Sequence, residues 1–215
     1  MSGSVEPSRF HELGWRVLAY AAATHVRTGS LAEAAAFAEA IAGRVGADGR
    51  SPDVDLRSGG VTVRIRRPIT EEGELTEDDL ALAREISATA SEFGFLVDLT
   101  GLQSFQVAID AMVIPDVLPF WAAVLGYEHV GDVVVDPDRE GPVFWFQQMD
   151  APRPQRNRIH IDLYLPEDQA RARIDAALAA GGRVVNDEHA PYWWTLADPE
   201  GNEVDVAPWP DMDDA

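Results

Sequence analysis

His189–Val206 reads HAPYWWTLADPEGNEVDV, and its second half decides how the chain folds. Asp198, Pro199, Glu200, Gly201 and Asn202 form a turn between two strand-like segments, and acids then alternate with valines. Side chains two apart on a strand share a face, so Val204 and Val206 pack inward. Glu203 and Asp205, on the other side, either meet water or converge on a common point. Upstream, the same order of elements occurs twice. FQVAID (105–110) is strand-like, and PDVLPFWAAVLGY (115–127) is helical, with Val117, Phe120, Trp121 and Val124 at i, i+3, i+4, i+7. VVVD and PVFWFQQM follow as strands. After the polar DAPRPQRN, RIHIDLYL (158–165) begins a second strand and PEDQARARIDAALAAGG (166–182) a second helix, with Ala170, Ile174, Ala177 and Leu178 inward. RVVN, YWWTLAD and NEVDV complete a tandem βαβββ plan, whose two sheets can pair into one curved surface.

The first half reads differently. WRVLAYAAATHVR (15–27) supplies one strand or a pair of short ones, and Ser30 caps a helix over 31–45 with Phe37, Ile41 and Val45 on one face. VDLRSGGVTVRI (54–65) is a hairpin turning at Ser58, Gly59 and Gly60. Thr76 opens a helix over 76–93, with Asp79 in the capping-box position and Leu82, Ile86 and Phe93 on one side. Helical periodicity stops in GFLVDLTGLQS (94–104) and strand periodicity begins, which places a domain boundary between 99 and 100. The fold class expected is α+β: helices on one face of a small antiparallel sheet over 1–99, then paired βαβββ modules over 100–215.

Composition removes several function classes. With 37 acidic against 17 basic residues the formal charge is -20, so a nucleic-acid backbone or an anionic lipid surface meets a like-signed field. There is no cysteine, hence no disulfide, thiolate metal site or cysteine nucleophile. Neither a leader-like start nor an apolar run long enough to span a bilayer is present, and a soluble, cytoplasmic protein is expected.

Three strands present polar groups on the side opposite their apolar set: Gln106 and Asp110 on the first, Arg158, His160, Asp162 and Tyr164 on the first strand of the second unit, Glu203 and Asp205 on the last. If the sheets curl together these faces meet in a cleft. Gln106, His160 and Asp205 would then bring a neutral oxygen, an imidazole and a carboxylate, which suits a divalent ion such as Zn, Mn, Fe or Ni with open positions. Glu203 or Asp110 could carry a proton beside it. Arg158, Asp162, Tyr192 and Trp194 complete the expected cleft wall. On spacing alone the plainer reading, solvated sides of half-buried strands, is the stronger of the two.

FWAAVLGY, GPVFWFQQMD, RNRIHIDLYL, GGRVV and LADPEGNEVDV together resemble the vicinal oxygen chelate superfamily, in its glyoxalase-like and bleomycin-resistance-like branch, over Gln103 to Trp209. The resemblance implies a small-molecule ligand and metal ligands at Gln106, His160 and Asp205, with lyase-type chemistry. Asp205 stands where catalytic members carry Glu, one methylene longer. Since many members of that superfamily have lost the metal, a ligand-sequestering protein of the antibiotic-resistance kind is the alternative.

In the first half SLAEAAAFAEAIAGRV, SPDVDLRSGGVTVRI and GELTEDDLALAREI resemble the pterin-4a-carbinolamine dehydratase family over Trp15 to Phe93. That family's His-His-Pro triplet falls on Arg50, Ser51 and Pro52, and its later histidine near Thr70. Arginine stays protonated and serine is not a base unaided, so the resemblance implies a degenerate domain kept for dimerisation, ligand binding or as a lid. Dehydration of 4a-hydroxytetrahydrobiopterin is the least favoured activity. A homodimer is the expected assembly.

Overall fold

The structure is a computed structural model and describes residues 5–44, 51–69, 74–153, 155 and 159–208. Val45, Arg50, Thr70, Arg158 and Trp209, on which expectations above rest, lie outside the described residues. The chain divides into two compact units, Met1–Ser104 and Phe105–Ala215, and together they are α+β.

Unit 1 begins with a short helix, α1 (Pro7–His11), then β1 (Arg16–Leu18) and β2 (Ala21–Arg27), so the alanine-rich run is indeed a pair of strands. α2 (Leu31–Ala42) follows, with the Ser30 side chain accepting from the Glu33 amide at 3.2 Å. β3 (Asp53–Arg57) and β4 (Gly60–Arg66) form the expected hairpin, and α3 (Glu77–Glu92) and β5 (Leu96–Val97) end the unit. The sheet is antiparallel in the order β1-β2-β4-β3, with β5 on the same edge of β2 as β1. Period-two alternation puts Ala22 and Val26 of β2 and Val61, Val63 and Ile65 of β4 into one core with Phe37 and Ile41 of α2.

The capping box at Thr76 is formed: Thr76 accepts from the Asp79 amide, and the Asp79 carboxylate accepts from the Thr76 amide at 2.7 Å. The face α3 buries differs from the one expected. Leu80, Ala83, Ile86 and Ala90 enter the core, Leu82 is half-buried at its margin, and Phe93 is exposed. Ile86 is on the face expected; Leu80 and two alanines complete it, whereas the large Leu82 and Phe93 lie off it. α1 was not foreseen either, being a five-residue turn held by one buried residue, Phe10.

Unit 2 contains β6 (Gln106–Ala111), α4 (Ile114–Leu125), β7 (Glu128–Val130), β8 (Val133–Val135) and β9 (Val143–Gln148). It continues with β10 (Ile161–Leu165), α5 (Glu167–Ala179), β11 (Arg183–Asn186), β12 (Trp194–Ala197) and β13 (Glu203–Pro208). Its two sheets have matching orders, β6-β9-β8-β7 and β10-β13-β12-β11, and in each the first strand runs parallel to the last. The tandem βαβββ plan is therefore a repeat of topology as well as of pattern. β7 escaped the sequence reading because Glu128–Val130 is short and polar.

One core serves both repeats, with Ile109, Phe120, Trp121 and Phe144 from the first and Ile174, Leu196, Val204 and Val206 from the second. Arg173 of α5 donates to the Val124 carbonyl at the end of α4, at 3.2 Å. Gly126, at φ +72°, permits this approach, since a Cβ there would lie 2.6 Å from the guanidinium.

At the edge of unit 1 Asp98 fastens the segment after β5. Its carboxylate accepts from the Thr100 hydroxyl at 2.6 Å, the Thr100 amide at 3.1 Å and the Arg27 guanidinium at 2.6 Å. The Thr100 hydroxyl, then its amide, then Arg27 hold this carboxyl down to about 2. Because the folded value is depressed, the stabilisation is present above the unfolded carboxyl range and is lost as pH falls toward 2. We expect Thr100→Ala to move the Asp98 titration upward, read by carboxyl-carbon NMR; an unchanged midpoint would show that the hydroxyl does not set it.

Candidate functional site

The turn that opened the sequence reading is built around a buried acid. Asp198 is fully buried, and its carboxylate accepts from the Glu200 and Asn202 amides at 2.9 Å, the Asn202 side chain at 2.8 Å and the Trp121 indole at 3.0 Å. Glu200, two residues on, accepts from the Met112 and Val113 amides at 2.7 Å, at the start of α4. One loop of the second repeat thus satisfies two amides just ahead of the first repeat's helix and holds that helix's tryptophan. The first repeat has a matching turn, where Asp136 accepts from the Asp138, Glu140 and Gly141 amides. The recurring Asp-Pro pair, Asp136-Pro137 and Asp198-Pro199, marks both turns in the sequence.

Trp121 and Asn202 form part of the wall of a half-open cavity of about 460 Å³. Val107, Ala108, Ile109 and Asp110 of β6 line one side; Ile159, His160 and Ile161, at the entry to β10, line another, with Glu203 at the start of β13. Arg153 and Gln155, between the repeats, close the lining among the described residues. Four consecutive residues of β6 take part because the cavity runs along its free edge: β6 and β10 are each the end strand of their sheet.

Next to the cavity His160 approaches two acids. Its Nε2 is 3.3 Å from Asp162 Oδ1 and 4.0 Å from Asp205 Oδ2, and donor atoms of all three lie within 4.8 Å of one another. The register explains this, since Asp162 and Asp205 are directly paired across parallel strands and so share a face. Asp205 Oδ1 is buried and has no hydrogen-bond partner among the described residues, while the side chains of His160 and Asp162 are 55% and 44% exposed. An orphaned carboxylate oxygen beside an imidazole and a second carboxylate fits a hard or borderline divalent cation.

The other residues singled out from sequence fall as follows. Asp110 and Glu203 line the cavity with His160. Gln106 is exposed at the start of β6, opposite Val143, and the lining on β6 begins one residue later. Trp194 pairs with Val206, packs on the core and is not among the residues lining this cavity; Thr195, its neighbour, is the residue facing the same way as Asp205. Tyr192 is half-buried in the turn before β12 and is not part of the cavity lining. The aromatic wall is supplied by Trp121 from the helix instead. Arg153, which the sequence reading passed over within a polar loop, is the basic side chain of the described lining.

We expect Asp198→Ala to destabilise unit 2 by roughly 3 kcal/mol, because buried amide and indole donors lose their acceptor. Urea unfolding followed by tryptophan fluorescence measures it, and a loss below about 1 kcal/mol would argue against the hub.

Residues 106–207 match the profile of a family described as a glyoxalase-like domain. None of the curated proteins resembles the chain in sequence at a significant level. Among solved structures, a glyoxalase-related enzyme from Fulvimarina pelagi is similar at 15% identity, covering 50% of this chain and 88% of that one, with a TM-score of 0.39. The fosfomycin resistance protein FosX from Listeria monocytogenes, complexed with Mn(II) and sulfate, is similar at 10% identity, 53% and 94% coverage and a TM-score of 0.41. A glyoxalase/dioxygenase from Nostoc punctiforme gives 10% identity, 54% and 97% coverage and a TM-score of 0.41. Residues 106–207 carry a glyoxalase-like domain.

Proposed function

We propose that the glyoxalase-like domain binds a small molecule in the cavity beside β6 and β10 and holds a divalent cation next to it, on His160, Asp205 and Asp162, with Gln106 as the neutral oxygen that the family resemblance implies. The observation that carries this reading is the double position of His160, which lines the cavity and also belongs to the group of three convergent donors. A cation bound there would act as a Lewis acid toward an oxygen of the ligand, in lyase-type chemistry. The chain's own contribution is positional. Val107, Ile109, Ile159 and Ile161 exclude water from the ligand's body, Trp121 is fixed by Asp198, and Asp110 and Glu203 are the carboxylates within the same walls that could take or return a proton.

A second reading is favoured by the exposure of Asp162 and His160 and by the short side chain at 205: a metal-free protein that sequesters its ligand. Loading separates the two. Chelator-treated protein titrated with Mn(II), Zn(II), Fe(II) or Ni(II) and followed by calorimetry should bind one ion per chain, with affinity lowered at least about tenfold in Asp205→Asn and abolished in His160→Ala. No binding of any of the four ions would leave the sequestering reading in place.

For unit 1 we propose a degenerate pterin-dehydratase-like domain, on the strength of the motifs quoted above and of Ser51 beside Pro52. Its histidines among the described residues are His11 and His25, and His25 is engaged with Thr62 through Nδ1 at 2.8 Å. Residues 1–215 assayed with the carbinolamine should show the uncatalysed rate; turnover above it would restore the dehydratase reading.

A further inference from the structure

The cavity also constrains the charge of what it accepts, an inference that rests on the ligand-binding reading above. Arg153 lines the cavity and makes no ion pair or hydrogen bond with any described residue, although Asp110 lines the same cavity. Asp110, exposed near the end of β6, is equally without a partner among the described residues. The two opposite charges share one wall system of about 460 Å³ without reaching each other, and the surface around them is largely apolar, from Val107, Ile109, Trp121, Ile159 and Ile161.

Unpaired charges of opposite sign facing one pocket are complementary to a ligand that carries both. A guanidinium presents a planar fork to an oxyanion, and a carboxylate accepts from an ammonium. A ligand with only a cation would leave Arg153 as a repulsive element in the pocket, and one with only an anion would meet Asp110 and Glu203. We infer that the cavity selects a zwitterion: an apolar body with an oxyanion, carboxylate or phosphate-like, for Arg153 and an ammonium for Asp110. Arg153 is then the residue that determines specificity, and His160 stays available to the acids beside it.

The test uses the chelator-treated full chain and three fluorinated aryl probes followed by fluorine NMR: a ring-fluorinated para-(aminomethyl)benzoate, which carries both charges across a ring, para-fluorobenzylamine and para-fluorobenzoate. The zwitterion should bind about tenfold tighter than either single-charge probe, the usual scale for one charge-assisted contact. Arg153→Gln should reduce it to the level of the benzylamine and Asp110→Asn to that of the benzoate, while Arg153→Lys keeps part of the preference. A benzylamine that binds as tightly as the zwitterion, or an Arg153→Gln protein with unchanged affinities, overturns the zwitterion inference and leaves the cavity as a ligand site. Absence of binding by all three probes overturns the cavity reading itself, and this inference with it. A phosphonate in place of the carboxylate on the same ring distinguishes the two kinds of oxyanion.

Discussion

The carboxylate of Asp198 is the constraint on which unit 2 depends. A fully buried acid is tolerated only when donors surround it, and here two backbone amides, a side-chain amide and the Trp121 indole do so. Three of those donors belong to the acid's own turn and shape DPEGN locally. The fourth comes from the other repeat. One side chain therefore sets the turn between β12 and β13 and also fixes the tryptophan that walls the cavity. Glu200 extends the same loop's grip to the two amides that lead into α4.

Around that constraint the fold arranges chemistry by register. Parallel pairing of β10 with β13 sets Asp162 against Asp205, and antiparallel pairing of β12 with β13 sets Thr195 on the other side of Asp205. A polar row thus crosses a sheet whose opposite face is core. His160, one residue before β10 begins, swings the imidazole to the end of this row and into the cavity wall. The geometry gives the site two parts, a convergent donor group and an apolar pocket with a few charged groups. They meet at one histidine.

Much of this was legible before any coordinate. Alternation in QVAID and NEVDV separates the inward from the polar face, because period-two burial is a local property of strands, whereas Phe105, ahead of β6, is exposed despite its apolar side chain. The helices of the tandem unit are equally plain, since Val117, Phe120, Trp121 and Val124 obey the helical period. What misled was size. On α3 Leu82 and Phe93 are larger than Ala83 and Ala90, which lie on the buried face, and the aromatic cluster Tyr192 to Trp194 is more conspicuous in sequence than Trp121, which lines the cavity. Trp194 turned inward because its partner across the ladder, Val206, is a core residue.

The sequence by itself determined the α+β class, the repeat in unit 2, the helix caps at Ser30 and Thr76 and the polar face containing Asp205. The caps and faces follow from spacing within a dozen residues, where backbone periodicity and capping chemistry act directly, and the class and the repeat follow from the order of those local elements. Only the tertiary structure decided that Asp162 stands beside Asp205, that Trp121 forms the aromatic wall and that Arg153 reaches the cavity. Those pairings join residues between about forty and eighty positions apart, and their register is set by the strand ladders and by a buried acid that must find its donors, neither of which any local stretch encodes.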